Sequence, residues 1–319
     1  MKYRQLGRTG LKVSEIGFGA WGIGGQGYGP TDDEVSLRAL EKAYECGVNF
    51  FDTADTYGHG RSEKLVAQFV KTILPVDAIV ATKVGWDFYH GGSKKNFSSE
   101  HIRFACEQSL KRLERDVIDL YQLHNPSLEL IESRQAMDVL DDLKREGKIR
   151  FIGISVHTEA DALAAMEDER VDVLQVIFNF FDQRMSDQVF SIAKAKNIGI
   201  IAREPLAFGF LTGKYSANPQ FEKDDHRRRF PEEYWQVNSK KLERFKEILA
   251  TERLSLTRGA LEYVLQFEEI STVIPGIKTP QHAVENAQAS NEPKLRIEEA
   301  YHLREIYHRE TLFREGMKT

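Results

Sequence analysis

The sequence predicts an α/β fold, a closed (β/α)8 TIM barrel in which residues 1–319 form one domain, with an N-terminal β-hairpin and a long loop after strand seven. Three observations predict it. Short β-branched or aromatic runs alternate with longer amphipathic stretches from about residue 16 to residue 290. Eight such runs occur, and their near-continuous apolar cores suit strands buried on both faces. The fingerprint that opens a dinucleotide-binding open sheet has only a poor stand-in at Gly17, Gly19 and Gly22, which runs through Gly24, Gly25, Gly27, Gly29 and Pro30 before any helix starts, as a loop does. A length of 319 residues would allow two domains, but barrels of this kind use about 250 or more residues on one.

In chain order, two short strands around Gly7-Arg8-Thr9-Gly10 read as a hairpin plugging the barrel bottom. The eight barrel strands are predicted over residues 16–21, 48–51, 78–82, 118–123, 149–154, 173–178, 199–202 and 272–274. Helices are expected over 32–45, 62–70, 99–113, 133–145, 159–168 and 187–196, with Asp32, Ser62 and Ser99 as N-caps. An excursion from Pro205 to about Ser239 is too long for an ordinary connection, and such segments are usually functional or disordered. Residues 297–312 form a last helix folded against the barrel.

Composition narrows the function classes. Lys and Arg number 44 against 49 Asp and Glu, a net charge of −5 with both signs dispersed, which argues against a nucleic-acid or anionic-membrane binder. No stretch approaches the ~18 uninterrupted apolar residues of a membrane-spanning helix. The start, Met1 to Gly7, has no apolar run behind its basic residues, so a cytoplasmic location is expected. Cys46 and Cys106 lack zinc-site spacing and read as reduced thiols.

In a parallel barrel the residues after the strand ends converge on one mouth. Strand two ends in Asp52 and leads to Tyr57, strand three is followed by Lys83, and strand four by His124. Each alone has a structural explanation, but together they suit proton donation to a carbonyl. A Tyr hydroxyl has a pKa near ~10, and a neighbouring ammonium stabilises its phenolate and brings it closer to working pH. Asp52 holds Lys83, and His124 donates a second hydrogen bond to the substrate oxygen. No nucleophile sits beside a base and no metal triad is evident, so hydride from a cofactor is required.

These residues lie in Gly17-Phe18-Gly19-Ala20-Trp21, Phe51-Asp52-Thr53-Ala54-Asp55-Thr56-Tyr57-Gly58, Ala81-Thr82-Lys83, Leu120-Tyr121-Gln122-Leu123-His124, Gly153-Ile154-Ser155 and Ile274-Pro275-Gly276. Through these motifs the chain resembles the aldo-keto reductases over essentially its full length. The resemblance implies that Asp52, Tyr57, Lys83 and His124 are the catalytic tetrad, with Tyr57 the general acid, and that the barrel binds NADPH, with NADH as the alternative. Ser155 and Gln175 match the residues that hold the nicotinamide carboxamide, whereas the Asn that commonly follows the serine is Val156 here. Arg203 falls where a tyrosine frequently stacks under the nicotinamide; it either stacks through its guanidinium or pairs with Glu204.

Leu206 to Lys214 resembles the pyrophosphate loop, with Leu206, Gly209, Leu211, Gly213 and Lys214 as contacts. Glu285 and Asn286 match the adenine-contacting pair. Where the family often has Arg and Lys for a 2′-phosphate, this chain has His282 and Gly276, and Lys278 is expected to take over. Trp21, Trp86 and Phe88 follow strands one and three and are expected to flank the substrate carbonyl. The run His226-Arg227-Arg228-Arg229 is a solvated face or part of a lid.

Two further function classes compete. One is a cofactor-binding regulatory subunit resembling the potassium-channel β-subunits, which would bind cofactor tightly with little turnover. The other, a metal-dependent barrel hydrolase, needs a His-x-His pair at a strand end that the sequence lacks. The partner is a small-molecule carbonyl substrate; sugar aldehydes, pyridoxal, methylglyoxal and aromatic aldehydes all stay open.

Overall fold

The structure is a computed structural model, and it is described for residues 1–25, 27–74, 77–223, 225–249 and 253–314. A hairpin of β1 (Tyr3–Gln5) and β2 (Lys12–Ser14) precedes β3 (Phe18–Gly19), α1 (Asp33–Glu45), β4 (Phe50–Asp52), α2 (Arg61–Ile73) and β5 (Ile79–Val84). A two-stranded excursion, β6 (Trp86–Asp87) with β7 (Lys94–Lys95), leads to α3 (Ser99–Leu113) and β8 (Ile118–His124). The chain continues through α4 (Leu128–Ser133), α5 (Gln135–Arg145), β9 (Ile149–Ser155), α6 (Glu159–Met166), β10 (Val173–Ile177), α7 (Val189–Ala195) and β11 (Gly199–Arg203). After the long loop come α8 (Glu232–Ile248), α9 (Leu256–Leu265), β12 (Ile270–Ile274), α10 (Pro280–Asn291) and α11 (Ile297–Arg309).

Strands β3, β4, β5, β8, β9, β10, β11 and β12 pair in that order, each parallel to the next. Bridges Ile16–Val273 and Gly19–Gly276 join the two edges and all but close the barrel. Glycine is required at this seam: a Cβ on Gly19 would lie 2.8 Å from both the Ile274 and Pro275 carbonyl oxygens. The bottom is filled as the hairpin reading predicts. Leu6 and Val13 pack with Phe50, Ile79, Ala81, Leu120, Val173, Ile201 and Ile274 from the strands. Arg4 fastens the hairpin, donating to the carbonyls of Leu265 (2.7 Å), Phe267 (2.9 Å) and Ile270 (2.7 Å) and pairing with Glu15.

The outer helices follow from their sequence periodicity. In α5, Ala136, Met137, Val139, Leu140 and Leu143 recur on one buried face. Asp32 caps α1 by accepting from the Val35 amide (2.8 Å), as expected. Two expected caps are corrected. Gly60 precedes α2 with a left-handed φ of 90°, and Ser62 is buried instead, donating to the Ala20 carbonyl and accepting from the Thr53 hydroxyl. Ser99 is the first residue of α3, and the preceding Ser98 accepts from the His101 amide. The helix expected over 133–145 starts after Arg134, whose φ of 58° separates α4 from α5. The excursion after β11 is ordered into short 3-10 turns at Ala207–Thr212 and His226–Arg229, and α8 begins within it. Among the described residues, no helix is long and apolar enough to cross a membrane.

Candidate active site

β4 and β5 run in register with Asp52 beside Ala81, and the two strands place their last inward side chains side by side. Lys83 Nζ donates to Asp52 Oδ1 at 2.5 Å, to the Thr53 carbonyl at 2.8 Å and to Tyr57 Oη at 3.4 Å. The ion pair is fully buried. Asp52 Oδ2 accepts from Gln122 Nε2 (3.1 Å) and Gln175 Nε2 (2.8 Å), so both carboxylate oxygens are satisfied, as a buried anion requires. Tyr57 rides on the loop between β4 and α2, which stays tied to the sheet through Thr53 N donating to Ala81 O and Asp55 N to Lys83 O. His124 closes the group from the end of β8, its ring 5.8 Å from that of Tyr57 and nearly perpendicular.

The electrostatics of the four are coupled. Burial alone would lower the Lys83 pKa, but Asp52 and Tyr57 attract the proton more strongly and the net shift is upward. Burial raises the Tyr57 pKa, and the opposing pull of Lys83 is not enough to reverse it. The expected lowering of the Tyr57 pKa is therefore corrected: Lys83 pulls in the expected direction, but Asp52 neutralises it and desolvation outweighs the remainder. Burial, then the cations Lys83 and Arg203, hold His124 well below the usual imidazole range, so the ring is neutral at pH 7. Its Nδ1 is buried without a hydrogen-bond partner among the described residues. Tyr57 thus keeps the proton it can donate, and the uncharged His124 keeps one N–H donor.

Beside the tetrad, Arg203 at the end of β11 pairs with Glu204 and also donates to the Val156 carbonyl (3.1 Å) and toward His157 and Asn125. Its Nε is buried and has no partner among the described residues. Ser155 and Gln175 come to the same mouth from β9 and β10. Loop residues Ala207, Phe208 and Gly209 all have positive φ, and Gly213 ends the turn in the left-handed region. Lys214 and Lys278 both lower the His282 pKa, behind the larger effect of burial, and Glu285 raises it; Asn286 Nδ2 is buried without a partner among the described residues. Lys278 Nζ uses two of its three donors on the carbonyls of Tyr28 (2.8 Å) and Pro30 (3.3 Å), which leaves one for a ligand. Gly276 has open space where a Cβ would sit.

The expected pocket wall divides. Trp21 stacks on Tyr57 with ring centres 6.0 Å apart. Phe88 instead stacks on His59 and Tyr89, and Trp86 sits in the β6–β7 hairpin under the Lys95 ammonium. Two other rings meet Trp21: Tyr28, which sequence reasoning missed, at 4.9 Å, and His226, expected there only as part of a solvated face or a lid, at 4.6 Å. The basic run is not one solvated face: His226 Nδ1 lies 2.5 Å from the Gly27 carbonyl, and Arg227 is buried against Asp225 with its guanidinium over Tyr28, Tyr215 and Phe221. Gln122 was legible two residues before His124 on one strand face, and Asn125 immediately after it.

The site is thus a buried Asp-Lys-Tyr chain with a neutral His at the mouth of a parallel barrel. A family model described as the Aldo/keto reductase family matches residues 15–308, and the chain belongs to that family. It is 34% identical over 234 residues to the aldo-keto reductase YhdN of Bacillus subtilis, covering 72% of this chain and 70% of that one. The NADH-specific methylglyoxal reductase of Escherichia coli is 29% identical, with 91% and 94% covered. Among solved structures, the holo form of a Bacillus halodurans aldo-keto reductase superposes with a TM-score of 0.79 at 30% identity, covering 96% of each chain.

Proposed function

We propose that this chain is an NADP(H)-dependent reductase that converts an aldehyde or ketone to an alcohol, reversibly, with Tyr57 as general acid and, in the reverse direction, general base. The observation that carries the reading is the hydrogen-bonded chain from Asp52 through Lys83 to Tyr57 beside a neutral His124. Supporting a dinucleotide are buried polar atoms on His124, Arg203 and Asn286 without partners among the described residues, which would lie at the two ends of a cradle, and glycine and left-handed backbone, which would form its middle. Ser155, Gln175 and Arg203 would hold the nicotinamide, and Leu206, Gly209, Leu211, Gly213 and Lys214 the pyrophosphate. Gly276, Lys278, His282, Glu285 and Asn286 would hold the adenylate half. The N-terminus of α10, capped by Thr279, adds a favourable partial charge for a 2′-phosphate there. NADH is the alternative coenzyme.

A nicotinamide held by Ser155, Gln175 and Arg203 would supply the hydride that the carbonyl carbon accepts. Tyr57 Oη gives its proton to the carbonyl oxygen as the C=O bond becomes a single bond. Lys83 stabilises the phenolate left behind, and Asp52 keeps that ammonium in place. The neutral His124 orients the carbonyl through a hydrogen bond, and Trp21 and Tyr28 exclude water from one side. The test is a panel of aldehydes, ketones and alcohols read by nicotinamide absorbance with both coenzymes. Carbonyl-dependent oxidation of NADPH is expected; tight cofactor binding with no turnover on any member would favour the regulatory-subunit reading instead.

A further inference from the structure

Hydrogen-bond polarity at the nicotinamide end leaves one acceptor unanswered. A carboxamide presents two N–H donors and one carbonyl acceptor. Gln175 Nε2 already donates to Asp52 Oδ2 (2.8 Å) and Gln122 Oε1 (3.2 Å), so only its carbonyl oxygen is available to a ligand. Ser155 Oγ donates its single proton to Asn125 Oδ1 at 3.0 Å and is likewise left as an acceptor. Val156, the next residue, is fully buried and apolar. With these bonds kept, the two side chains that the cofactor reading assigns to the carboxamide are both left to accept from its N–H groups, and neither donates to its oxygen.

The end of β8 carries a donor. The Asn125 amide donates to the Ser155 carbonyl (3.0 Å), extending the β8–β9 ladder by one residue, and the chain then turns with a left-handed φ of 57° that Asn tolerates. Lys95 Nζ pins the turn by donating to the Asn125 carbonyl. Arg203 Nη2 lies 3.4 Å from the same side-chain oxygen that accepts from Ser155. A guanidinium only donates, which fixes that atom as the amide oxygen and the other arm as the NH2. Among the described residues, Asn125 Nδ2 donates to no protein acceptor.

We propose that Asn125 supplies the hydrogen bond to the carboxamide oxygen of a bound nicotinamide, in place of a donor at position 156, with Ser155 and Gln175 accepting from its NH2. This rests on the cofactor reading above, and equilibrium binding separates the two. Affinities for NADP+, for its thionicotinamide analogue, whose sulfur accepts poorly, and for adenosine 2′,5′-bisphosphate, which lacks the nicotinamide, would be measured by protein fluorescence.

Asn125→Ala should weaken NADP+ about tenfold, leave the bisphosphate unchanged and abolish the preference for NADP+ over the thio analogue; adding Val156→Asn should restore part of the loss. The wild type alone should bind the thio analogue several-fold more weakly than NADP+, which keeps the test independent of the variant's folding. Unchanged NADP+ affinity in a folded Asn125→Ala would overturn the proposal and point to the orphaned Arg203 Nε as the donor. Equal weakening of NADP+ and bisphosphate would also overturn it, by reducing Asn125 to a structural role. Failure of the wild type to bind any dinucleotide would remove the cofactor reading, and the proposal with it.

Discussion

Replacing Lys83 by Met keeps the length of the side chain and removes the larger of the two charges that oppose desolvation at Tyr57, the other being Arg203. At 3.4 Å, an ammonium–phenolate attraction is worth about 5 kcal/mol at an effective dielectric near 20. Asp52, bound to the same ammonium, cancels a large part of that. A net loss on the order of 1.5–3 kcal/mol remains, roughly a ten- to hundredfold smaller phenolate fraction at a given pH. Alcohol oxidation, which uses the phenolate as base, should fall by that factor or more and need higher pH; carbonyl reduction should fall less. The variant should also lose about 3–5 kcal/mol of stability, since Asp52 becomes a buried anion held by two neutral amides. Adding Asp52→Asn should restore much of the stability and none of the oxidation. The assay is the pH–rate profile of oxidation in variants that melt cooperatively and bind cofactor. A parental profile at near-parental rate for Lys83→Met would refute the proton-transfer scheme.

Three other outcomes are expected. Asp55 is fully buried, and burial, then the neighbouring Glu63, raise its pKa well above the usual carboxyl range against the pull of Arg112 and Lys83. The folded state therefore keeps a proton that the unfolded chain releases, and stability falls as pH rises above the unfolded value; Asp55→Asn should remove this dependence and gain stability relative to the parent as pH rises from 4 to 8, read by thermal melts. His124 has the opposite sign: its depressed pKa means the unfolded chain binds the extra proton, so its contribution is present above the unfolded pKa and lost as pH falls below about 6.5, and His124→Gln should reduce proton uptake on unfolding at pH 5 by close to one. Arg4→Met should cost about 2–4 kcal/mol in denaturant titrations by removing the guanidinium that three carbonyls and Glu15 share, although Phe267 O keeps the Ile270 amide and Glu15 keeps the Ser290 hydroxyl, with no change in cofactor affinity.

The barrel was legible because its strands are buried on both faces, and the eight runs at 16–21 through 272–274 carry that burial as continuous apolar sequence. Caps were less legible. Ser62 satisfies the N-cap pattern but serves the barrel mouth, since a left-handed glycine can begin a helix with no side chain at all. At the site, the strand-end rule sufficed for Asp52, Lys83 and His124, whose positions follow from strand length. It did not reach Tyr28, His226 or Arg227, which meet Trp21 and the barrel mouth only because two loops nearly 200 residues apart pair at Gly27 and Asp225. The sign of the Tyr57 shift was also out of reach, because it depends on how much of Lys83's field Asp52 cancels.

Tyr57 carries the central claim, and a single-turnover measurement tests it most directly. Wild type and Tyr57→Phe, each loaded with NADPH and shown to bind it with equal affinity, would be mixed with a carbonyl that the wild type turns over, and the loss of nicotinamide absorbance followed in the first turnover. Removing the acid alone should slow that step by about 10²–10⁴-fold while leaving cofactor affinity intact. A Tyr57→Phe protein that oxidises its bound NADPH at the wild-type rate would contradict the account.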